Sequence, residues 1–415
     1  MLTTADVPGH VDLDAGVPGV APPPSIADNC SVDVSGALQR WLSTRPPGTL
    51  VRPPVGACYE VDRGITLPFP HGLTIDGGTF ENRTTVRTFP GNGIGRATFA
   101  VVGGSQVTFE DLTIKGANPA GYHPPLAFEA GIELEGTAHA DIRNVAVEHV
   151  YGDGISLDPL RGASDHLSGA ILSATTDLTV DRVVITGVGR QGMTLASVNG
   201  ADIDDVALSD VGINTFDVEA DQANEGAENV TIDGCTSSSA NGGSFFANGG
   251  AGNGKQTGGI VVENCRMLEP QGGDAVLVDN ITGGGERRGP ITFSEDTLWC
   301  GASDYVGCFQ LNGAKVSVTQ SAIRFAGHST VHENLYNAAG ASTLTLVGDS
   351  VRGCQSLGGG AAGSTVQVSG GSWAPAYSAV AGAVTVAHAD APHHAARFVA
   401  RITARARRAQ RHSRR

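Results

Sequence analysis

The sequence predicts an all-β fold, a right-handed single-stranded parallel β-helix of about eleven coils with a short N-terminal capping helix. Three observations predict it. Of 415 residues 58 are Gly and only 5% are aromatic, while Val, Ile and Thr recur in short runs separated by Gly, Asn, Asp and Ser, which favours many short strands. One pattern then returns eleven times, as LTIDGGTF, VTFEDLTI, ADIRNVAV, LTVDRVVI, ADIDDVAL, VTIDGCTS, IVVENCRM, ITFSEDTL, VSVTQSAI, LTLVGDSV and VQVSGGSW. Each copy reads as a strand, a sharp bend and a second strand, and a parallel stack needs the same corner in every coil.

Along the chain, residues 1–29 are rich in Pro, Gly and Ala without periodicity, and read as a flexible leader. The solenoid spans 30–385. It begins with SVDVSGALQRWLS, where Ala37, Leu38, Trp41 and Leu42 make one face of a short helix that stops before Pro46 and Pro47. Such a helix can cover the open first coil. The inward residue of each copy is taken as Ile75, Phe109, Ile142, Val180, Ile203, Ile232, Val262, Phe293, Val318, Leu346 and Val368, at intervals of 22 to 38 residues. Two residues later stands Gly, Asp, Asn or Arg, with Glu295 and Gln320 as exceptions. Residues 386–415 form a basic tail, whose last nineteen positions hold eight Arg and no acid.

A second strand series lies between the copies, at GIELE, GISLD, GMTLA, TFDVE and SFFAN. Alternation points Ile132, Leu134, Ile155, Leu157, Met193, Leu195, Phe216 and Val218 inward. If these strands are in register, their outward residues form two columns. One holds Glu133, Ser156, Thr194, Asp217 and Phe246; the other holds Glu135, Asp158, Ala196, Glu219 and Asn248. Asp153, Arg190, Gln191 and Asn214 stand at the strand starts.

These columns are the candidate site. Coils lie ~4.8 Å apart, so Asp158 and Glu219, separated by the Ala196 coil, have backbones about 9.6 Å apart, which leans towards the wider carboxyl spacing of inverting glycosidases. Arg190 beside them can bind a substrate carboxylate or lower their pKa values. Asp158, Arg190, Asp217 and Glu219 are therefore expected to carry chemistry, and Glu133, Glu135, Asp153, Gln191, Asn214 and Asn248 to hold substrate. Insertions following the strands, PLRGASDHLSGAILSATT, DQANEGAEN, GGAGNGKQTGG and NITGGGERRGP, are expected to wall the groove. Against this stands solubility alone, since outward positions of an exposed sheet carry Asp, Glu and Asn without any catalysis.

The formal charge of −15 argues against nucleic acid as the main partner. No apolar stretch approaches the ~20 residues of a membrane helix, and MLTTADVPGH lacks the regions of a signal peptide. Of seven Cys, Cys30–Cys58 and Cys300–Cys308 could pair in an oxidising compartment, with reduced thiols equally weighted. Cys235 and Cys265 stand at equivalent places on neighbouring coils, where a pair of stacked thiols is favoured over a disulfide. No cofactor is expected. Calcium at Asp217, Glu219 and Asp221 is a weaker alternative, because no DxDxDG-type loop is present.

From DNCSVDVSGALQRWL and PPVGACYEVD onward, over roughly residues 30–385, the chain resembles secreted bacterial right-handed β-helix proteins of the pectate-lyase-like superfamily. GRQGMTL and INTFDVEAD look like a recurring pair of an uncharacterised subgroup, with Arg190, Gln191, Asp217 and Glu219 in its positions; Ala220 and Asp221 stand where relatives commonly carry Pro-Asn. The resemblance implies the fold, a secreted or cell-surface location and a polysaccharide partner. The superfamily includes lyases, inverting hydrolases, uronate epimerases and phage tailspikes, but the chain has no Asp-Asp pair followed by Gly-His-Gly.

The expected function is a hydrolase or lyase of an extended, acidic polysaccharide. As a hydrolase, Asp158 or Asp217 protonates the leaving oxygen while Glu219 activates water; as a lyase, Arg190 or a neutral neighbour removes the proton beside a uronate carboxyl. The alternative is a non-catalytic glycan-binding, adhesion or structural module.

Overall fold

The computed structural model describes residues 18–84, 97–162, 170–220, 222, 225–239, 242–248, 257–268, 275–279, 290–300, 308–325, 334–338, 342–352, 356–360, 364–374 and 385–388. It is a right-handed parallel β-helix whose coils contribute one strand to each of three sheets, of thirteen, thirteen and eleven strands. Every strand pair between coils is parallel; the exception is a small antiparallel hairpin of Leu160–Arg161 with Ile171–Ser173.

The first sheet holds the repeated pattern in a single register. Ile75 pairs with Phe109, Phe109 with Ile142, Ile142 with Val180, and so on without a slip to Leu346 and Val368. The sheet extends one strand further at each end, through Leu50–Val51 and Thr385–His388, so the solenoid is longer than the eleven copies. The bend two residues after each inward residue is left-handed in all eleven coils: Gly77, Asp111, Asn144, Arg182, Asp205, Gly234, Asn264, Glu295, Gln320, Gly348 and Gly370 have φ between 52° and 92°. Glu295 and Gln320 adopt it although neither residue type favours it, because the corner is fixed by the coils on either side.

The helix Ser35–Leu42 closes the N-terminal end with Leu38 and Leu42 buried in the core. Its Gln39 does more than cover. The side-chain amide donates to the Thr66 carbonyl at 2.5 Å and accepts from the Thr66 N–H at 2.6 Å, taking the place of a missing neighbour strand at the edge of the third sheet. Two ends of the chain sit differently from the predicted divisions. Val20, within the expected leader, exchanges backbone hydrogen bonds with the first coil, and Thr385–His388 continues the first sheet; 1–17 and 389–415 lie outside the described residues.

Three disulfides are present, Cys30–Cys58, Cys235–Cys265 and Cys300–Cys308. The middle one corrects the expectation of stacked thiols: the two coils bring the Cα atoms to 4.4 Å, close enough to bond. Cys354 lies outside the described residues.

The residue just past each bend points inward and changes character along the solenoid. Leu112, Val145, Val183 and Val206 are followed by Cys235, Cys265, Asp296, Ser321 and Asp349, all buried. In the polar part each side chain accepts the N–H of the coil before. Cys265 N–H donates to Asp296 Oδ1 at 2.7 Å, Asp296 N–H to Ser321 Oγ at 3.1 Å, and Ser321 N–H to Asp349 Oδ1 at 2.8 Å. Burial outweighs these bonds and pushes Asp296 up to about 8 and Asp349 up to about 7.

Candidate functional site

The first outward column of the third sheet forms as the alternation predicts, and the second forms on either side of Ala196 but is interrupted there. Glu133 pairs with Ser156, Ser156 with Thr194, Thr194 with Asp217 and Asp217 with Phe246. Glu135 pairs with Asp158 and Glu219 with Asn248. Between them the Ala196 backbone follows a different route. Its N–H donates to the Leu157 carbonyl, but its own carbonyl accepts the Gly226 N–H, and Ser197 beside it already pairs with Gly226 in the first sheet. The inward partners Ile132, Leu134, Ile155, Leu157, Met193, Leu195, Phe216 and Val218 are all in the core.

These outward positions are not the exposed surface of a bare sheet. Glu133, Glu135, Asp153, Ser156, Gln191, Thr194, Asn214 and Asp217 are buried, while Asp158, Glu219 and Asn248 are half-buried. Two walls flank the face. At the strand ends stands the hairpin of Leu160–Arg161 and Ile171–Ser173, from one of the predicted insertions. It closes down on Gly136, where a Cβ would lie 2.5 Å from Leu160 Cβ and φ is 57°, so no other residue fits without displacing the hairpin. Its Arg161 forms an ion pair with Glu225, both nearly fully buried, which ties the insertion after Asp158 to the one after Glu219. The other insertion segments lie largely outside the described residues. At the strand starts stands an excursion at 116–130, carrying the short 3-10 turn Pro124–Leu126, that the sequence pattern did not single out. It packs on Gly152, where a Cβ would meet the Ala127 carbonyl at 2.7 Å.

Arg190 is the centre of the site. Its guanidinium donates to Asp153 Oδ2 at 2.8 Å and to Glu219 Oε2 at 2.5 Å, spanning carboxylates from the coils before and after its own. Asp153 also accepts the Thr194 hydroxyl at 2.8 Å and the Gln191 N–H at 3.0 Å. The Gln191 side chain donates to Asp217 and accepts the Asn214 N–H at 2.7 Å, while Asn214 Oδ1 accepts Gly243 N–H at 3.0 Å. Six of the predicted residues thus meet in one network. Asp158 stands on the adjoining coil and takes the Ser156 hydroxyl at 2.6 Å. Glu133 and Glu135 lie one coil further on the same face, and Asn248 beside Glu219 on the other side.

The electrostatics follow from burial and from Arg190. Asp217 is 1% exposed. Burial pushes its carboxyl well above the usual range, the Glu219 charge adds to this, and Arg190 opposes it. The Arg190 guanidinium is itself held further in its charged form, first by Asp153 and then, against its own burial, by Glu219 and Asp217. Of the calcium set, Glu219 is engaged by Arg190 and Asp217 by Gln191, and Asp221 lies outside the described residues.

No protein-family model matches the chain, and no curated protein matches it by sequence. Solved structures share its fold at low identity. The catalytic unit of a thermostable GH87 alpha-1,3-glucanase from Streptomyces thermodiastaticus superimposes with a TM-score of 0.54 at 14% identity, over 92% of this chain and 69% of that one. An endo-xylogalacturonan hydrolase from Aspergillus tubingensis gives 0.53 at 14% identity, over 90% and 99%. DFA-IIIase from Arthrobacter chlorophenolicus without its lid gives 0.53 at 11% identity, over 88% and 97%.

Proposed function

We propose that the chain is a glycoside hydrolase that cleaves an extended polysaccharide laid along the outer face of the third sheet. The observation that carries this reading is the carboxylate assembly between two walls, in which one guanidinium clamps Asp153 and Glu219 while Asp217 lies buried beside them, its carboxyl pushed up by that burial. Structural neighbours that are named as polysaccharide hydrolases add support.

Roles follow from reach first and protonation second. Glu219 and Asp158 are the half-buried carboxyls, open to the groove. Glu219 is the base that activates water, oriented by Arg190, and Asp158 is the acid for the leaving oxygen. One coil separates the strands that carry them, at ~4.8 Å per coil, which favours the wider carboxyl spacing of inversion. Asp217 suits an acid by its raised pKa, but its oxygens are covered, so it acts as a positioning residue that fixes Gln191. Proton abstraction by Arg190, which a lyase would need, is disfavoured because two carboxylates hold it charged. Asp153, Asn214, Gln191, Glu133, Glu135 and Asn248 shape and orient the groove. The three disulfides favour an oxidising, extracytoplasmic compartment.

The test is a panel of polysaccharides assayed for new reducing ends and for unsaturated, ultraviolet-absorbing products. Hydrolysis predicts reducing ends without unsaturation, lost by at least ~100-fold in Glu219→Gln and Asp158→Asn. Unsaturated products would establish a lyase instead. Saturable glycan binding that survives Glu219→Gln without any turnover would establish a binding module.

A further inference from the structure

Within the stretch 126–130 of the excursion that walls the strand starts, Leu126, Ala127, Glu129 and Ala130 are buried, and Phe128 between them turns outward, 46% exposed. The backbone beneath it is fixed. Gly152 N–H donates to the Glu129 carbonyl at 3.0 Å, Arg190 N–H to the Gly152 carbonyl at 3.1 Å, and the Ala127 carbonyl lies against Gly152. The Phe128 ring centroid stands 5.8 Å from the Arg190 guanidinium carbon. A large aromatic ring is therefore held by a rigid segment at the edge of the carboxylate cluster, with much of its surface uncovered.

Sugar rings present both C–H faces and hydroxyl edges, so a binding site for them combines an aromatic platform with nearby polar acceptors. Phe128 supplies the first. Glu219 supplies the second, since its carboxylate is half-buried and is bonded to the same guanidinium. The charge around the ring also selects the type of sugar. The guanidinium beside Phe128 already binds Asp153 and Glu219, and its charge is spent on them. A uronate carboxylate arriving here would face Glu219 and Asp153, whose shared partner among the described ion pairs is already bound to both, and like charges at ~4–6 Å repel.

We propose that Phe128 is the stacking platform of a substrate subsite for a neutral pyranose unit next to Glu219, so that the polysaccharide is neutral at this position rather than acidic. This rests on the reading of the groove as a glycan-cleaving site. Phe128 carries no group able to move a proton, and its surface exposure lets it be replaced without opening the core.

The experiment titrates wild type, Phe128→Ala and Phe128→Tyr with neutral gluco-, xylo- and galacto-oligosaccharides and with oligogalacturonate, reading Kd by calorimetry and kcat and KM by reducing ends. The expected result is neutral-oligosaccharide binding that weakens roughly tenfold in Phe128→Ala, is retained within about threefold in Phe128→Tyr, and appears in KM more than kcat. Equal binding by wild type and Phe128→Ala overturns the platform, as does a loss confined to kcat, which marks displacement of Arg190. Binding of oligogalacturonate in preference to all neutral chains overturns the neutral subsite while leaving the hydrolase reading intact. A wild type that neither binds nor cuts any glycan overturns both.

Discussion

Asp296 offers the sharpest test of the energetics, because the fold stores a proton there. The side chain is 2% exposed, accepts the Cys265 N–H through Oδ1, and holds Oδ2 buried with no hydrogen-bond partner among the described residues. Desolvation dominates; backbone donation from Cys265 and Ser294 opposes it, and the nearby charges of Glu263 and Glu295 add to it, leaving the group at about 8. In the unfolded chain the same carboxyl titrates near ~3.9. Below about pH 4 both states are protonated and nothing is lost. As pH rises from about 4 towards about 8, the unfolded chain releases the proton and the folded one keeps it, so stability falls. Each pH unit in that window costs about 1.4 kcal/mol, on the order of 5 kcal/mol over the whole of it as an upper figure.

Asp296→Asn keeps the acceptor for Cys265 and removes the titration. Its amide replaces the unpartnered oxygen, which costs roughly 1–3 kcal/mol at every pH. Relative to wild type the variant should therefore be less stable at pH 4.5 and gain on the order of 4 kcal/mol by pH 8. Amide exchange of the coils around Cys265 and Ser321, measured at both pH values, reports the local free energy without assuming that a long solenoid unfolds in one step. A difference between variant and wild type that stays constant from pH 4.5 to pH 8 would refute a stored proton.

Three further outcomes are expected. Arg190→Met removes the cation between Asp153 and Glu219 and leaves the buried Asp153 charge unopposed, so unfolding free energy should drop by about 3 kcal/mol, as denaturant titration would show. Arg161→Met should cost a similar amount by stranding Glu225, and the double change Arg161→Met with Glu225→Met should recover most of it; a double variant as weak as the single one argues against the ion pair as the tie between the two walls. Gln39→Leu preserves bulk but exposes the Thr66 edge to unpaired burial, and faster amide exchange at Thr66 with a loss of about 1–3 kcal/mol is the expected reading.

The repeat was legible because every coil must make the same turn, and a constraint repeated eleven times rises above local noise. The inward residues and the position of the bend were therefore readable, whereas its left-handed conformation at Glu295 and Gln320, the two exceptions to the residue pattern, was not. The flanking strands Leu50–Val51 and Thr385–His388 were not, since neither carries the full strand, bend and strand pattern. The outward column through Thr194 and Asp217 followed from alternation, and the nearness of Arg190 from its place at a strand start. Their burial did not, because it comes from the excursion at 116–130 and from the hairpin, whose placement depends on non-periodic loops. The pairing of Arg161 with Glu225 has no sequence signal beyond two charges sixty-four positions apart. For Cys235 and Cys265 the equivalent positions were visible, but the choice between thiols and a bond turns on a Cα approach that only coordinates supply.

The route of the backbone through Ala196 sets a rule for how this groove can change over evolutionary time. The gap between Asp158 and Glu219 is counted in whole rungs of ~4.8 Å, and a rung is an entire coil, such as the 23 residues from Val180 to Ile203. Point substitution can trim that gap only by swapping Asp for Glu. Widening it demands the gain of a complete repeat. On the proposed hydrolase reading, the spacing of the two carboxyls is thus inherited in large steps, while the loops alongside are free to change residue by residue.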